Sequence, residues 1–424
     1  MAPPGVTPPG ATLPRATLPG RAQVVVIGGG VVGCSVAYHL AQRGVIDVAV
    51  IERRKLTHGS TWHAAGLIGQ LRGTASLTGL IRASVAAYAG LEARTGYATG
   101  WRAVGSLRVA ASAARWAELR RMAALGTSFG LDVSLLSPAE AKQLFPLIND
   151  SGLHGAVYLP SDGYADPSQL TQSLAAGARA AGVRIIQDCR VLGFTRDGQR
   201  ITAALTDGGP IECETVVNAT GMWGAETARM AGAGIAVTAV EHQYVVTERR
   251  ADISPDLPTL RDPDARVYLK PEGGALVVGG WEQGTRAPWL LPPGGATPRS
   301  IIRTPRLEIP ADLGPELFPP DHERFAPLAE ATAHRIPVFG ELGIQSWING
   351  PIPFTPDGEP LIGRAEDVAN LFHCCGFSAG IAGAGGAGAA VANWIADGDP
   401  GLDLSGLDAR RFGPQYCVPD LLAK

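Results

Sequence analysis

The chain has 424 residues, with 36 Lys plus Arg against 39 Asp plus Glu and a formal net charge of −3. Hydrophobic residues make up 46% and charged residues 18%, a composition that excludes a wholly disordered chain. The near-neutral balance excludes the basic footprint of a nucleic-acid binder, and the length suits two or three domain-sized units.

The first 22 residues hold six prolines and no apolar run, so neither a signal-peptide core nor a membrane helix fits there. Residues 1–21 read as a disordered Pro-rich tail. Gln23 to Ile27 (QVVVI) is a short all-apolar run, as in a strand buried on both faces. Gly28-Gly29-Gly30-Val31-Val32-Gly33 follows, then apolar residues at helical spacing as far as Gly44, then DVAVIE, a second strand ending at Glu52. Strand, glycine turn, helix and strand in that order make a dinucleotide-binding unit. Gly28 allows the tight turn, Gly30 lets the backbone approach a diphosphate, and Gly33 lets helix and strand pack closely. The helix N-terminus offers free N–H groups to the phosphates, and Glu52 stands where a carboxylate accepts from ribose hydroxyls.

Further along, Asp166-Pro167 is a helix start, an N-cap carboxylate followed by proline at the first helical position. ITAALTDGGPIECETVVNATG predicts a hairpin and a buried strand ending in Thr220-Gly221. VTAVEHQYVVTE then alternates as a half-exposed antiparallel strand does, with Val240, His242, Tyr244 and Val246 on one face. ARVYLKPEGGALVVGGWE predicts two strands joined by a Gly-Gly turn, with Arg266, Tyr268 and Lys270 on one face. That sheet has a polar face able to line a site. PWLLPPGG and LFPPDHERF read as loops.

Residues 383–388 (GAGGAG) repeat the glycine spacing, but no strand runs into them and too little chain follows for a second unit. Cys374 to Ala396 is uncharged, yet its six glycines, Ser378 and Asn393 make it a buried Gly-rich turn and helix rather than a membrane span. The six cysteines show neither CxxC nor zinc spacing, which points to reduced thiols, a cytoplasmic setting and no metal.

The segment LTHGSTWHAAGL (56–67) resembles the sarcosine and dimethylglycine dehydrogenase family, within the D-amino-acid-oxidase-like flavoproteins. The resemblance continues through DGYADPSQLT (162–171), VVNATGMWG (216–224), EHQYVVT (241–247), NGPIPFTPDGEPLIG (349–363) and CGFSAGIAGAGG (375–386). It implies an α/β fold in which a Rossmann-like FAD-binding domain (22–100, 151–235 and 336–424) carries an α+β substrate domain (101–150 and 236–335) with a mostly antiparallel sheet. It implies FAD held by the glycine unit and by Ser60, Thr61, Ala64, Gly66, Gly221, Trp223, Gly376, Ser378, Gly380 and Ile381. His63 matches the histidine that carries the flavin covalently in dimethylglycine dehydrogenase-like members, whereas His58 is expected to face solvent. His242 is the expected proton acceptor, Tyr268 positions the amine or carboxylate, and Tyr244 packs.

Residues 376–388 lack the lysine that monomeric sarcosine oxidase-type relatives use for the substrate carboxylate, so Arg266 or Lys270 is expected to replace it. The chain stops where many members continue into a folate-binding domain, so that domain is expected to be absent. The implied activity is oxidation of a secondary or tertiary amine, such as N-demethylation of sarcosine or dimethylglycine, with electrons passing to dioxygen or to an electron-transfer protein. The alternatives are a D-amino-acid or cyclic-amine oxidase on the same fold, and a non-catalytic or partner-dependent flavin-binding subunit.

Overall fold

The computed structural model describes residues 18–282, 309, 313 and 316–413. Most of the expected N-terminal tail and all of PWLLPPGG lie outside the described residues. The chain opens as the sequence predicts, with strand β1 (Arg21–Ile27), helix α1 (Val31–Gln42) and strand β2 (Val48–Ile51). β1 is buried on both faces because its side chains feed two cores. Val24 and Val26 pack with α1, while Val25 and Ile27 pack with Ile201, Ala204 and Ile211 on the other side. Such a strand needs cover on each face, which is why it reads as a continuous apolar run.

Helix α2 (Ala75–Ala89) follows, capped by Thr74. Helix α3 (Pro167–Ala180) starts at the predicted cap, where Asp166 Oδ1 accepts from the Gln169 N–H at 2.7 Å. Strand β3 (Gly209–Asn218) runs parallel to β1, with Asn218 beside Ile27. The strand Arg200–Thr206 pairs antiparallel with β3's early half, which makes the predicted hairpin.

Among the described residues the second sheet has eight strands. Its site-bearing part comprises β4 (Thr238–Thr247), β5 (Thr259–Asp262), β6 (Val267–Glu272), β7 (Ala275–Gly280) and β8 (Ile344–Phe354). Their order across the sheet is β8-β4-β7-β6-β5, all antiparallel. The Gly-Gly turn joins β6 to β7 as predicted, with both Gly273 and Gly274 in the left-handed region.

Strand membership departs from the expected domain boundaries in two places. Gly155–Leu159 and β8 both belong to the second sheet, although 151–235 and 336–424 were expected in the FAD-binding part. Pairing partners distant in sequence decide membership here. LFPPDHERF is a loop only as far as Asp321, whose side chain caps helix α4 (His322–Arg335). An aspartate after two prolines was a helix start rather than a loop.

The chain then returns to the first sheet through Leu361–Arg364 and the adjoining β9 (Leu371–Cys375), the latter parallel to β3. Helix α5 (Gly380–Asp397) completes the fold. It contains the second glycine cluster and lies against α1 and α2. Among the described residues no helix is long and apolar enough to cross a membrane, and the five described cysteines are free and buried.

The glycines of α5 permit a close helix–helix approach. A Cβ on Gly386 would stand 2.0 Å from the Leu80 carbonyl oxygen of α2. Gly386→Ala is therefore expected to destabilise the protein by about 1–3 kcal/mol, the usual cost of overpacking. Thermal denaturation checks this, and an unchanged Tm would mean that α2 and α5 separate freely.

Candidate functional site

Two clefts lie between the sheets. The first, of about 1120 Å³, opens over the C-terminal ends of β1 and β2 and is lined by Gly28, Gly30, Glu52, Ser60, Thr61, Gly221 and Trp223 among others. The glycine turn works through backbone contact. Gly28 has φ +109, and a Cβ there would meet the Ala219 carbonyl oxygen at 2.4 Å, while one on Gly33 would meet the Gly28 oxygen at 1.9 Å. Gly33 thus holds the turn from behind rather than lining the cleft.

The turn 53–63 folds over the start of α1. Thr57 donates its N–H to the Gly29 carbonyl at 3.0 Å, and Thr61 Oγ1 accepts from the Val31 N–H at 3.2 Å. Glu52 accepts from the Gly29 N–H at 2.6 Å and the Arg54 N–H at 2.8 Å. Burial nonetheless pushes its carboxyl up, with these two bonds pulling the other way. Arg53 stacks on the Trp223 ring at 4.3 Å.

His58 is not turned to solvent as expected. It lines the first cleft, and its Nε2 is buried with no hydrogen-bond partner among the described residues. The turn that buries Leu56 carries it inward.

These features fit a dinucleotide. The side-chain-free cradle at Gly28 and Gly30, the α1 N-terminus and the Glu52 carboxylate would hold its diphosphate and ribose, and the orphaned His58 nitrogen awaits a polar partner.

The second cleft, of about 1110 Å³, is lined by Arg72, His242, Arg261, Tyr268, Trp281 and Glu359, among others. Ile352, Phe377, Ser378, Gly380 and Ile381 line both clefts and so mark their junction. The N-terminus of α5 lies there. Gly66 lines the second cleft rather than the first, Ala64 packs into the core beside α1, and Gly376 sits against Thr355. His63 lines neither cleft. It is 5% exposed, edge-on to Trp62 at 5.4 Å.

His242 Nε2 and Tyr268 Oη are 2.7 Å apart. His242 stands on β4 and Tyr268 on β6, with β7 between them. Register explains how they meet. Tyr244, Gly279 and Tyr268 form one cross-strand row. A Cβ on Gly279 would lie 2.4 Å from Tyr268 Oη, so the phenol lies across the missing side chain to reach His242. Burial, with His63 and Arg324 nearby, pushes the His242 imidazole down to about 4. Burial likewise pushes the His63 imidazole down to about 4 and raises the Tyr268 phenol. All three groups are neutral at pH 7. Tyr244 is buried and lines neither cleft.

The cations facing the second cleft are Arg72 and Arg261, not Arg266 or Lys270. Arg266 precedes β6 with φ +60 and faces another cleft beside α4. Lys270 pairs with Glu272 at 2.6 Å and lies over the Tyr164 ring. Arg261 is the cross-strand partner of both Tyr268 and Arg108. Burial, then Arg261 and Arg108, pushes the Arg72 guanidinium down to about 9, and burial lowers Arg261 as well. The nearby Asp162 is already engaged by Gln70 and Ser106 at 2.6 to 2.9 Å. Sequence reasoning missed both arginines. The available signal was weak: Arg72 follows the largely apolar run LIGQL, and Arg261 stands beside Asp262 in PTLRD.

Comparison with known proteins agrees with this geometry. Residues 23–394 match the FAD dependent oxidoreductase family, DAO. The chain is 40% identical over 400 residues to the human protein named sarcosine dehydrogenase, mitochondrial, covering 92% of this chain and 41% of that one. It is 35% identical over 393 residues to 4-methylaminobutanoate oxidase (formaldehyde-forming) of Paenarthrobacter nicotinovorans, covering 92% and 46%. The chain therefore spans less than half the length of these two relatives. The crystal structure of L-proline dehydrogenase from P. horikoshii superposes with a TM-score of 0.81 at 27% identity, covering 93% of this chain and 98% of that one. A match running from β1 almost to the end of α5, on a glycine cradle built for a dinucleotide, means that the chain belongs to the DAO family of FAD-dependent oxidoreductases.

Proposed function

We propose that the chain oxidises a secondary or tertiary amine that bears a carboxylate, an N-methyl amino acid such as sarcosine or dimethylglycine. One observation carries this reading. In the second cleft a neutral imidazole–phenol pair shares the lining with two guanidiniums that, among the described residues, have no ion-paired carboxylate. The names of the sarcosine dehydrogenase and 4-methylaminobutanoate oxidase relatives support it.

FAD, when bound, supplies a hydride acceptor for the carbon next to nitrogen. The protein residues do the rest. Arg72 and Arg261 hold the substrate carboxylate. A substrate ammonium has no lone pair to expel hydride, so a proton must leave first. In the tautomer with unprotonated Nε2, Tyr268 donates to His242. The Tyr268 oxygen then accepts the ammonium proton as its own passes to the imidazole. The iminium product hydrolyses, releasing formaldehyde when the methyl carbon was oxidised. The N–H groups at the start of α5 face the cleft junction and favour negative charge there. Electrons leave to dioxygen or to an electron-transfer protein. His63, neutral and buried, carries the flavin covalently. The likeness to L-proline dehydrogenase favours a cyclic secondary amine as the second reading. Anaerobic addition of sarcosine, dimethylglycine or proline, followed by the visible flavin spectrum, tests both readings. Bleaching with formaldehyde supports the first, and bleaching by proline with a cyclic imine supports the second.

Three substitutions sharpen this. In His63→Ala all flavin should be released by acid precipitation, and acid-stable flavin in that variant would remove His63 as the attachment point. His242→Ala should load flavin normally yet reduce it about 10²-fold more slowly or worse, and an unchanged reduction rate would exclude it as the base. Because burial lowers this imidazole, its base form persists below the ordinary value of 6.5. The wild-type acid limb should therefore appear only as pH approaches about 4. Arg72→Met should raise KM for amino-acid substrates by about tenfold to a hundredfold and leave turnover of an amine without a carboxylate unchanged. Equal effects on both substrates would separate Arg72 from the carboxylate.

A further inference from the structure

β4 and β8 pair so that His242 stands directly opposite Gly350. Side chains at paired positions leave a sheet on the same face. At Gly350 that face carries none. A Cβ built there would lie 2.7 Å from His63 Cε1, 2.8 Å from Nδ1 and 3.0 Å from Nε2, far inside van der Waals contact. The His63 imidazole thus fills the volume of the missing side chain, beside His242. The next residue of β8 secures the same loop, because Ser60 Oγ donates to the Pro351 carbonyl at 2.7 Å. Gly350 is not among the glycines with positive φ, so its backbone makes no demand for glycine. The demand is for room.

We propose that Gly350 is a positioning residue, the socket that holds the His63 imidazole in register with His242. The flavin's attachment point and the base of the amine site are then set against each other by one cross-strand pair. The proposal rests on attachment of the flavin through His63. That reaction breaks a C–H bond of the flavin's ring methyl and the imidazole N–H, forms an N–C bond and leaves two electrons on the flavin, which dioxygen removes. It requires a ring nitrogen at one place, and a ring pushed out of its socket reacts slowly even when the rest of the cofactor cleft is intact.

The test uses the whole chain in four forms: wild type, Gly350→Ala, His63→Ala and the double variant. Gly350→Ala should take up FAD with a normal visible spectrum, while its acid-stable fraction forms about tenfold more slowly or worse. In flavin-free protein Gly350→Ala should lower Tm when His63 is present and leave Tm unchanged when residue 63 is alanine. Wild-type attachment rates in Gly350→Ala, or equal Tm losses in both backgrounds, would overturn the proposal. If wild-type protein releases its flavin in acid, attachment through His63 fails on its own, and the Tm cycle still decides whether Gly350 seats the imidazole.

Discussion

A single 2.7 Å hydrogen bond between His242 and Tyr268 requires much of the second sheet to exist. The two residues come from strands that are not neighbours, so one ring must cross the strand between them. Only a glycine at position 279 leaves that path open. Tyr268 is buried and His242 half-buried, and desolvation favours the neutral form of each. Neutral buried donors and acceptors left unpaired cost about 1–3 kcal/mol each. The pair therefore stabilises the register that creates it. A one-residue slip of β7 that brought Val278 opposite Tyr268 would put a side chain under the phenol.

The same dependence on absent side chains joins the two sheets. β8 belongs to the second sheet and β9 to the first, yet Ile352 near the end of β8 and the 377–381 segment, which leads from β9 into α5, come to one place. The close contact of α5 with α2 keeps the start of α5 at the junction of the clefts, and Tyr88 fixes it further by donating to the Ile381 carbonyl at 2.8 Å. The two clefts thus share a wall that neither sheet could build alone.

What the sequence made legible was local. The β1–α1–β2 unit is written in adjacent residues, as are the Asp166 cap and the Gly273-Gly274 turn, because each depends on chain conformation over a few positions. The motif around His63 was legible by resemblance, but the orientation of His58 was not, since its burial follows from how the 53–63 turn lies on α1. The arginines of the second cleft were missed because they converge from a loop and a strand 189 positions apart, Arg72 and Arg261. Alternation along a strand assigned Arg266 and Lys270 to the right kind of face. It gave no warning that Arg266 lies outside β6 or that Glu272 and Tyr164 already occupy Lys270. The sheet membership of β8 was illegible for the same reason, because β8 joins the second sheet through a partner about a hundred residues away.

Arg72, Arg108 and Arg261 explain why the second cleft is electrostatically incomplete. Arg108 and Arg261 are direct cross-strand partners, an arrangement that like charges disfavour. Asp162, the carboxylate nearest in influence to all three, spends its acceptor capacity on Gln70 and Ser106. Glu359 lines the cleft, yet burial raises its own pKa and so weakens it as a fixed counter-charge. The fold therefore carries concentrated positive charge at the edge of the neutral His242–Tyr268 pair. An anionic group entering the cleft relieves that repulsion, so its binding is also a gain in folded-state stability. This ties substrate choice to the scaffold. Under the function proposed above, a neutral pair beside cations without ion-paired carboxylates among the described residues would favour an amine with an anionic far end, where carboxylate binding and sheet stability have the same sign.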